Sequence, residues 1–204
     1  MAAASTATTR RPSTKGEQTR RAILAAAIER FGREGYRATS VADIARDAGV
    51  GGTVAYAYFP NKETLFLAAI DEDASHVINE GLVGAIEDLD VDDWRQMLVF
   101  TLISALDHHP LARRVLAGLE PEVTERVLEI PALGEMRRAC AERIRHEQEA
   151  GVARPDIDPV SIGNGMVSIV LSLLMSVVQV GQSAALTYGP DVAAVFKAAL
   201  ERES

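Results

Sequence analysis

Apolar residues recur at helical spacing along almost all of this 204-residue chain. Ile23, Ala27 and Phe31 follow at i, i+4, i+8, with Leu24 and Ile28 beside them. Val41, Ile44, Ala45 and Ala48 follow at i, i+3, i+4, i+7. Leu65, Phe66, Ala69 and Ile70 come after Asn61, a good N-cap, with acidic Glu63 in the first turn. Trp94, Leu98, Leu102 and Ala105 form a stripe behind Asp92 and Asp93. Leu133, Met136, Cys140 and Ile144 form the next, and Val192, Val195, Phe196, Ala199 and Leu200 form the last, after Gly189-Pro190. No convincing period-two strand pattern competes. Breakers at Gly35, Gly49, Pro60, Pro110, Pro121, Pro131, Gly151, Pro155, Pro159, Gly189 and Pro190 divide the chain into eight or nine helices. The expected class is all-α. Residues 120–131 carry two prolines and leave room only for a short helix.

Pro159–Pro190 holds 32 residues without a charge, long enough to cross a bilayer. Helical phase argues otherwise. At about 100° per residue, Asn164, Gln182, Ser168, Ser161, Gln179, Ser172, Ser183 and Ser176 all fall within one arc of about 120°. A lipid-facing helix needs no such stripe, and flanking Lys/Arg anchors are missing. The expectation is a soluble, largely buried helix without a membrane. Its apolar arc, about 240° wide, exceeds the stripe of a surface helix and implies a second partner surface. The alternative is a small helical membrane-associated protein using residues 159–190.

The net charge of −8 hides a split. Residues 1–62 carry 10 Lys+Arg and 5 Asp+Glu, whereas residues 63–204 carry 11 and 24. A basic third on an acidic body is a pattern found in nucleic-acid readers. Met1–Thr14 lacks an apolar core, so it is not a secretory signal. Residues 1–16 read as a disordered basic arm. The single cysteine excludes an internal disulfide and a cysteine zinc cluster.

Residues 39–59 read TSVADIARDAGVGGTVAYAYF. Thr39 or Ser40 can cap a two-turn helix over Val41–Asp47. Ala48-Gly49-Val50 breaks it, and a second short helix follows over Gly51–Tyr58. Two short helices joined by a Gly-containing turn have helix-turn-helix geometry, whose second helix enters the major groove in a DNA reader. That helix carries Thr53, Tyr56 and Tyr58 with little core-forming bulk. Lys62 opens the next helix, where its charge opposes the helix dipole, a penalty that a phosphate would remove.

Over roughly Thr19–Ile70 the chain resembles the tetracycline-repressor (TetR) family of bacterial transcriptional regulators. Ile23–Phe31 with Gly35-Tyr36, Thr39–Ile44-Ala45, Ala48-Gly49-Val50 and Tyr56-Ala57-Tyr58-Phe59-Pro60-Asn61-Lys62-Glu63-Thr64-Leu65 carry the resemblance. It implies a three-helix DNA-binding domain over 17–62 and a regulatory, ligand-binding and dimerisation domain over 63–204. It also implies a homodimer on a palindromic double-stranded DNA operator. Carried over, Thr39 is the helix-capping threonine that touches phosphate. Thr53 and Tyr56 lie at base or sugar contacts, Tyr58 and Lys62 at phosphate contacts, with Ser40 and Gly52 in the same DNA-binding set. Gly51 and Gly52 depart from the family's usual Ser or Thr and polar chain, which removes two base-reading side chains.

The body shows no catalytic arrangement, so no enzyme and no cofactor are expected. Adjacent His108 and His109 cannot form an i, i+4 metal pair, and no metal site is expected. Glu142 and Glu147 beside Arg143, Arg145 and His146 read as a solvated face. Trp94, Met97, Phe100, Met136, Cys140 and Met166 are the candidates to line a pocket for a small apolar or amphipathic ligand, although each also suits plain core. Leu173, Val177, Val195 and Phe196 are the candidate dimer contacts, on a helix pair divided at Gly189-Pro190. The expected function is a cytoplasmic, nucleoid-associated, ligand-responsive repressor; an activator of the same fold is the alternative.

Overall fold

The computed structural model describes residues 14–86, 93–123 and 129–201. Residues 1–13 of the expected arm, and Asp92, lie outside them. Lys15 and Gly16, assigned above to the arm, instead open helix α1 (Lys15–Ala38). A capping box explains the earlier start: Thr14 Oγ1 accepts from the Glu17 N–H at 3.2 Å, and the Glu17 carboxylate accepts from the Thr14 N–H at 2.7 Å.

Nine α-helices form among the described residues, and the expected all-α class is what is found. α2 (Val41–Asp47) and α3 (Gly52–Tyr58) pack beside α1. α4 (Lys62–Gly81) starts at Asn61, whose side chain accepts from the Thr64 N–H at 2.8 Å. It runs unbroken across position 63 from the head into the body, then widens into a π-turn over Leu82–Ile86. α5 (Trp94–Ala105) is capped by Asp93, and α6 (Pro110–Leu116) begins with proline in the turn where no N–H is needed. α7 (Pro131–Glu149), α8 (Pro159–Val180) and α9 (Gln182–Leu200) complete the body. The head's core gathers Ile23, Phe31, Ile44, Ala55, Phe59, Leu65 and Phe66. In the body, α7 and α8 cross closely at Gly163, where a Cβ would lie 3.1 Å from the Ala141 nitrogen.

Two expectations are corrected in the body. The break between the last two helices is Gly181, with φ 110°, and Pro190 lies inside α9. Gly181 takes a conformation that disfavours a side chain, so the chain turns there. Gln182 and Ser183 therefore belong to α9, although the rest of the polar stripe stays on α8. There the stripe is the outer face: Ser161, Asn164, Ser168, Ser172 and Gln179 are exposed, whereas Met166, Val170, Leu173, Leu174 and Val177 are buried against the bundle. α8 has the length and composition of a membrane span, and its inner face is packed against α7 and α9.

The second correction concerns the predicted solvated face on α7. Arg143 and Glu147 are buried. Glu147 faces inward because two donors converge on it, the Trp94 Nε1–H at 2.7 Å and Arg95 Nη2 at 2.6 Å. Burial of a charge is tolerated when it is paired and hydrogen-bonded in this way.

Candidate nucleic-acid interface

An ion pair ties the first two helices of the head together. Arg30 on α1 reaches Asp47 at the end of α2 at 2.6 Å and Glu34 at 3.0 Å. The hydrogen bond from Arg30 holds the Asp47 carboxyl below the usual carboxylate range, against a smaller opposing effect of desolvation. Gly49, with φ 67°, makes the turn between α2 and α3. Ala55 is fully buried, which sets the register of α3 and turns Thr53, Val54, Tyr56, Ala57 and Tyr58 outward.

Ser40, not Thr39, caps α2: its Oγ accepts from the Asp43 N–H at 3.1 Å. Thr39 is buried at the end of α1, and its hydroxyl donates to the Gly35 carbonyl at 2.9 Å. That hydrogen is committed inside the fold, whereas Ser40 is at the surface. Gly52 opens α3 with nothing within 4 Å of where a Cβ would stand. Tyr58 sits beside the start of α1, since a Cβ on Gly16 would lie 3.4 Å from its hydroxyl. Lys62 Nζ hangs 4.3 Å above the Tyr36 ring and donates to the Arg37 carbonyl at 3.5 Å. Ser40, Thr53, Tyr56, Tyr58 and Lys62 thus stand on the helix-turn-helix and its flanking turns.

A model of bacterial regulatory proteins of the tetR family matches residues 23–69, which span this whole arrangement from α1 into α4. The head thus resembles the DNA-binding domain of that family. Whole-chain likeness extends the relation to the fold. A TetR-family transcriptional regulator from Cytophaga hutchinsonii is 18% identical, covering 95% of this chain and 100% of its own, with TM-score 0.72. A TetR transcriptional regulator from Chloroflexus aurantiacus J-10-FL is 22% identical, covering 93% and 99%, with TM-score 0.70. The fatty acid degradation regulator FadR from Bacillus halodurans is 21% identical, covering 93% and 100%, with TM-score 0.68. No curated protein matches the chain by sequence. The chain therefore joins a helix-turn-helix similar to that of the tetR family to a body with the fold of tetR-family regulators.

The junction between tetR head and body is made by α6. A Cβ on Gly32 of α1 would fall 2.7 Å from that of Pro110, so the two helices touch backbone to ring. Glu120, beyond α6, accepts from the Tyr36 N–H at 3.1 Å and from Arg114 Nε at 2.7 Å. At the other end of α6, His109 Nδ1 lies 2.8 Å from Asp73 Oδ1 and Nε2 lies 3.2 Å from Glu80 Oε1. Asp73 Oδ2 accepts from the Ala112 N–H at 2.8 Å. Sequence reasoning missed this junction. Glu120 lay in the stretch with the weakest pattern, and no local signal ties His109 to a carboxylate 36 residues away.

His109 supplies a pH dependence with a defined sign. Desolvation pushes its pKa down, but the carboxylates of Asp73 and Glu80 outweigh it, and the folded value is raised from 6.5. The contribution to stability is complete below the ordinary imidazole value and is lost as pH rises through the raised one. The melting temperature of the wild type should exceed that of His109→Asn most at about pH 5. A gap that widens toward alkaline pH would show that the imidazolium is not what stabilises the contact of α6 with α4.

The same α6 walls an apolar cavity of about 60 Å³. Ile70 and Ala74 of α4, Ala112, Val115 and Leu116 of α6, and Met136 of α7 line it together with α8. Of the six candidate pocket residues, Met136 lies on this wall. Trp94, Cys140 and Met166 are buried elsewhere in the core, and burial pushes the Cys140 thiol up to about 12. Met97 and Phe100 are on the outer side of α5, where Phe100 is 66% exposed and lines a second pocket, of about 260 Å³, against α9.

Lys62→Ala should weaken binding to any duplex by a similar factor and flatten the salt slope by about one unit, as expected for one lost phosphate contact. Fluorescence anisotropy across a salt series checks this. An unchanged slope would return Lys62 to a structural role over Tyr36.

Proposed function

We propose that this chain is a ligand-responsive transcriptional repressor that binds a palindromic operator as a homodimer in the cytoplasm, on the nucleoid. It acts by binding and not as an enzyme. Residues 17–62 form the DNA-binding unit, with Ser40, Gly52, Thr53, Tyr56, Tyr58 and Lys62 toward the operator. Residues 63–204 form the unit that binds ligand and pairs the subunits.

One observation carries the ligand response: α6 touches the cavity on one side and the head on the other. Ala112, Val115 and Leu116 face the cavity, whereas Pro110 abuts Gly32 and Arg114 joins the Glu120 bridge to Tyr36. A molecule too large for the cavity would enter by displacing α6 or α4, which form part of its wall. Either movement alters the angle of the heads, and with it the spacing of two recognition helices over successive major grooves. All side chains on the wall are apolar, which suits an apolar ligand or the apolar part of an amphipathic one.

The pairing face proposed here is the outer side of α8 and α9. Ser168, Ser172 and Ser176 each donate to the carbonyl four residues back at 3.0 Å, so their hydroxyls need no further partner. Ile169, 41% exposed, stands on α8, and Val195, 57% exposed, on α9. Exposed apolar surface of this kind marks contact sites. Val195 keeps its place among the candidate contacts. Leu173, Val177 and Phe196 are buried within the chain itself, so charges placed there test folding before they test pairing.

The experiment is a selection of duplexes from a random pool, followed by anisotropy of the selected duplex with benzene or n-hexane added. A palindromic duplex released by an apolar probe, but not by acetate or glycerol, is the expected result. A duplex whose affinity no probe alters, while the probes raise the melting temperature, would leave a DNA binder without ligand response.

A further inference from the structure

The outward face of α3 has two chemically different edges. Taking the direction of buried Ala55 as zero, Thr53 and Ala57 point almost directly away from the core, at about 160° and 200°. Tyr56 flanks them at about 100° and Val54 at about 260° on the other side. One edge of the helix therefore carries two hydroxyls, from Tyr56 and Thr53. The other carries the methyl groups of Val54 and Ala57, with exposed Tyr58 one turn beyond Val54 at about 300°.

Val54 is 42% exposed, and no part of the head closes over it. The two preceding glycines leave it uncovered: a Cβ on Gly52 would meet nothing within 4 Å, and one on Gly51 would meet only Val54 Cγ2 at 4.0 Å. An exposed valine is unremarkable on an ordinary surface. Here it stands on the helix that a tetR-family head presents to the major groove. The floor of that groove has one apolar group, the 5-methyl of thymine, and apolar side chains read it by contact. Apolar atoms beside a cytosine or a purine edge would instead cover polar groups and leave them unpaired.

We propose that Val54, supported by Ala57, reads a thymine 5-methyl group in each half of the operator. This rests on the operator-binding reading above and adds a specificity-determining residue to it. The Gly51-Gly52 pair then has a role as well. By lacking side chains, these residues let the methyl edge of α3 come down onto the bases.

The test uses the full chain and the duplex selected from a random pool. Each thymine is replaced in turn by deoxyuridine, which keeps base pairing and removes only the methyl group. The expected result is one thymine per half-site whose replacement weakens binding about fourfold, and about fifteenfold when both half-sites are changed. Val54→Ala should bind the thymine duplex more weakly and lose most of the difference between thymine and uracil. Its melting temperature should match the wild type, since the side chain is at the surface. If uracil is equivalent to thymine at every position, or if the difference survives in full in Val54→Ala, this inference is overturned and the operator-binding reading stands. If no duplex is selected at all, the operator-binding reading falls and takes this inference with it.

Discussion

Gly35→Ala is expected to destabilise the protein by about 3–5 kcal/mol, and to weaken DNA binding beyond what the lost stability explains. Gly35 interrupts α1 with φ 82° and ψ 169°, a backbone conformation open to glycine and closed to residues with a Cβ. Forcing a side chain into it costs about 1–3 kcal/mol from the backbone alone. The added Cβ would also fall 2.4 Å from Arg114 Nη2 and 2.8 Å from Glu120 Oε1. Glu120 is buried and joins the end of α1 to α6, so moving it breaks charge-assisted hydrogen bonds worth about 1.5–3 kcal/mol each. Total stability of a domain is about 5–15 kcal/mol, so the variant would be marginal. Urea denaturation followed by circular dichroism measures the loss. Gly118→Ala is the control. Gly118 also has positive φ, 72°, but nothing lies within 4 Å of its Cβ position, so only the backbone cost should appear. Equal losses at the two glycines would mean that the Glu120 bridge contributes nothing.

Glu147→Ala is expected to cost about 3–5 kcal/mol, the range for removing one partner of a buried ion pair. Its carboxylate accepts from Trp94 Nε1 and from Arg95, and Arg143 Nε lies 3.9 Å away. Without it, two buried guanidinium groups face each other across a gap and the indole N–H loses its acceptor. Glu147→Gln should fall between, because an amide oxygen still accepts from Trp94 but no longer neutralises Arg95. The chain has one tryptophan, so its fluorescence reads this site directly. Emission should shift to the red in Glu147→Ala, and denaturation midpoints should order as wild type, Gln, Ala. Indistinguishable midpoints would show that the cluster is neutral for stability.

Helices, caps and the helix-turn-helix were legible in the residues because each is a local property. The spacing of Ile23, Ala27 and Phe31, the cap at Asn61 and the break at Ala48-Gly49-Val50 all act within a few positions. The tetR-type head concentrates such signals between residues 19 and 70, and there the sequence reading and the structure agree on α2 and the start of α4 to the residue. Thr39 shows the limit even there. Thr39 and Ser40 are equivalent as caps on paper, and only the kink at Gly35 buries one and leaves the other outside.

What the sequence by itself determined is the all-α class, the position of the helix-turn-helix, the charge split and the polar stripe of α8, since composition and a period of 3.6 residues contain them. Only the tertiary structure decided which apolar side chains line the cavity, because Met136 and Cys140 share one stripe and differ only in what faces them across the bundle. It also turned Glu147 inward, since its partners Trp94 and Arg95 lie about fifty positions away in the chain, and Arg143 is buried beside it. The helix break moved from Gly189-Pro190 to Gly181 for a related reason. Proline at position 190 has a strong local signal, yet α9 carries it within the helix, and the turn falls at the glycine whose φ of 110° lets the chain reverse and pack α9 on α8. Helical periodicity is a property of neighbours in sequence; partners across a core are set by how the helices close on one another.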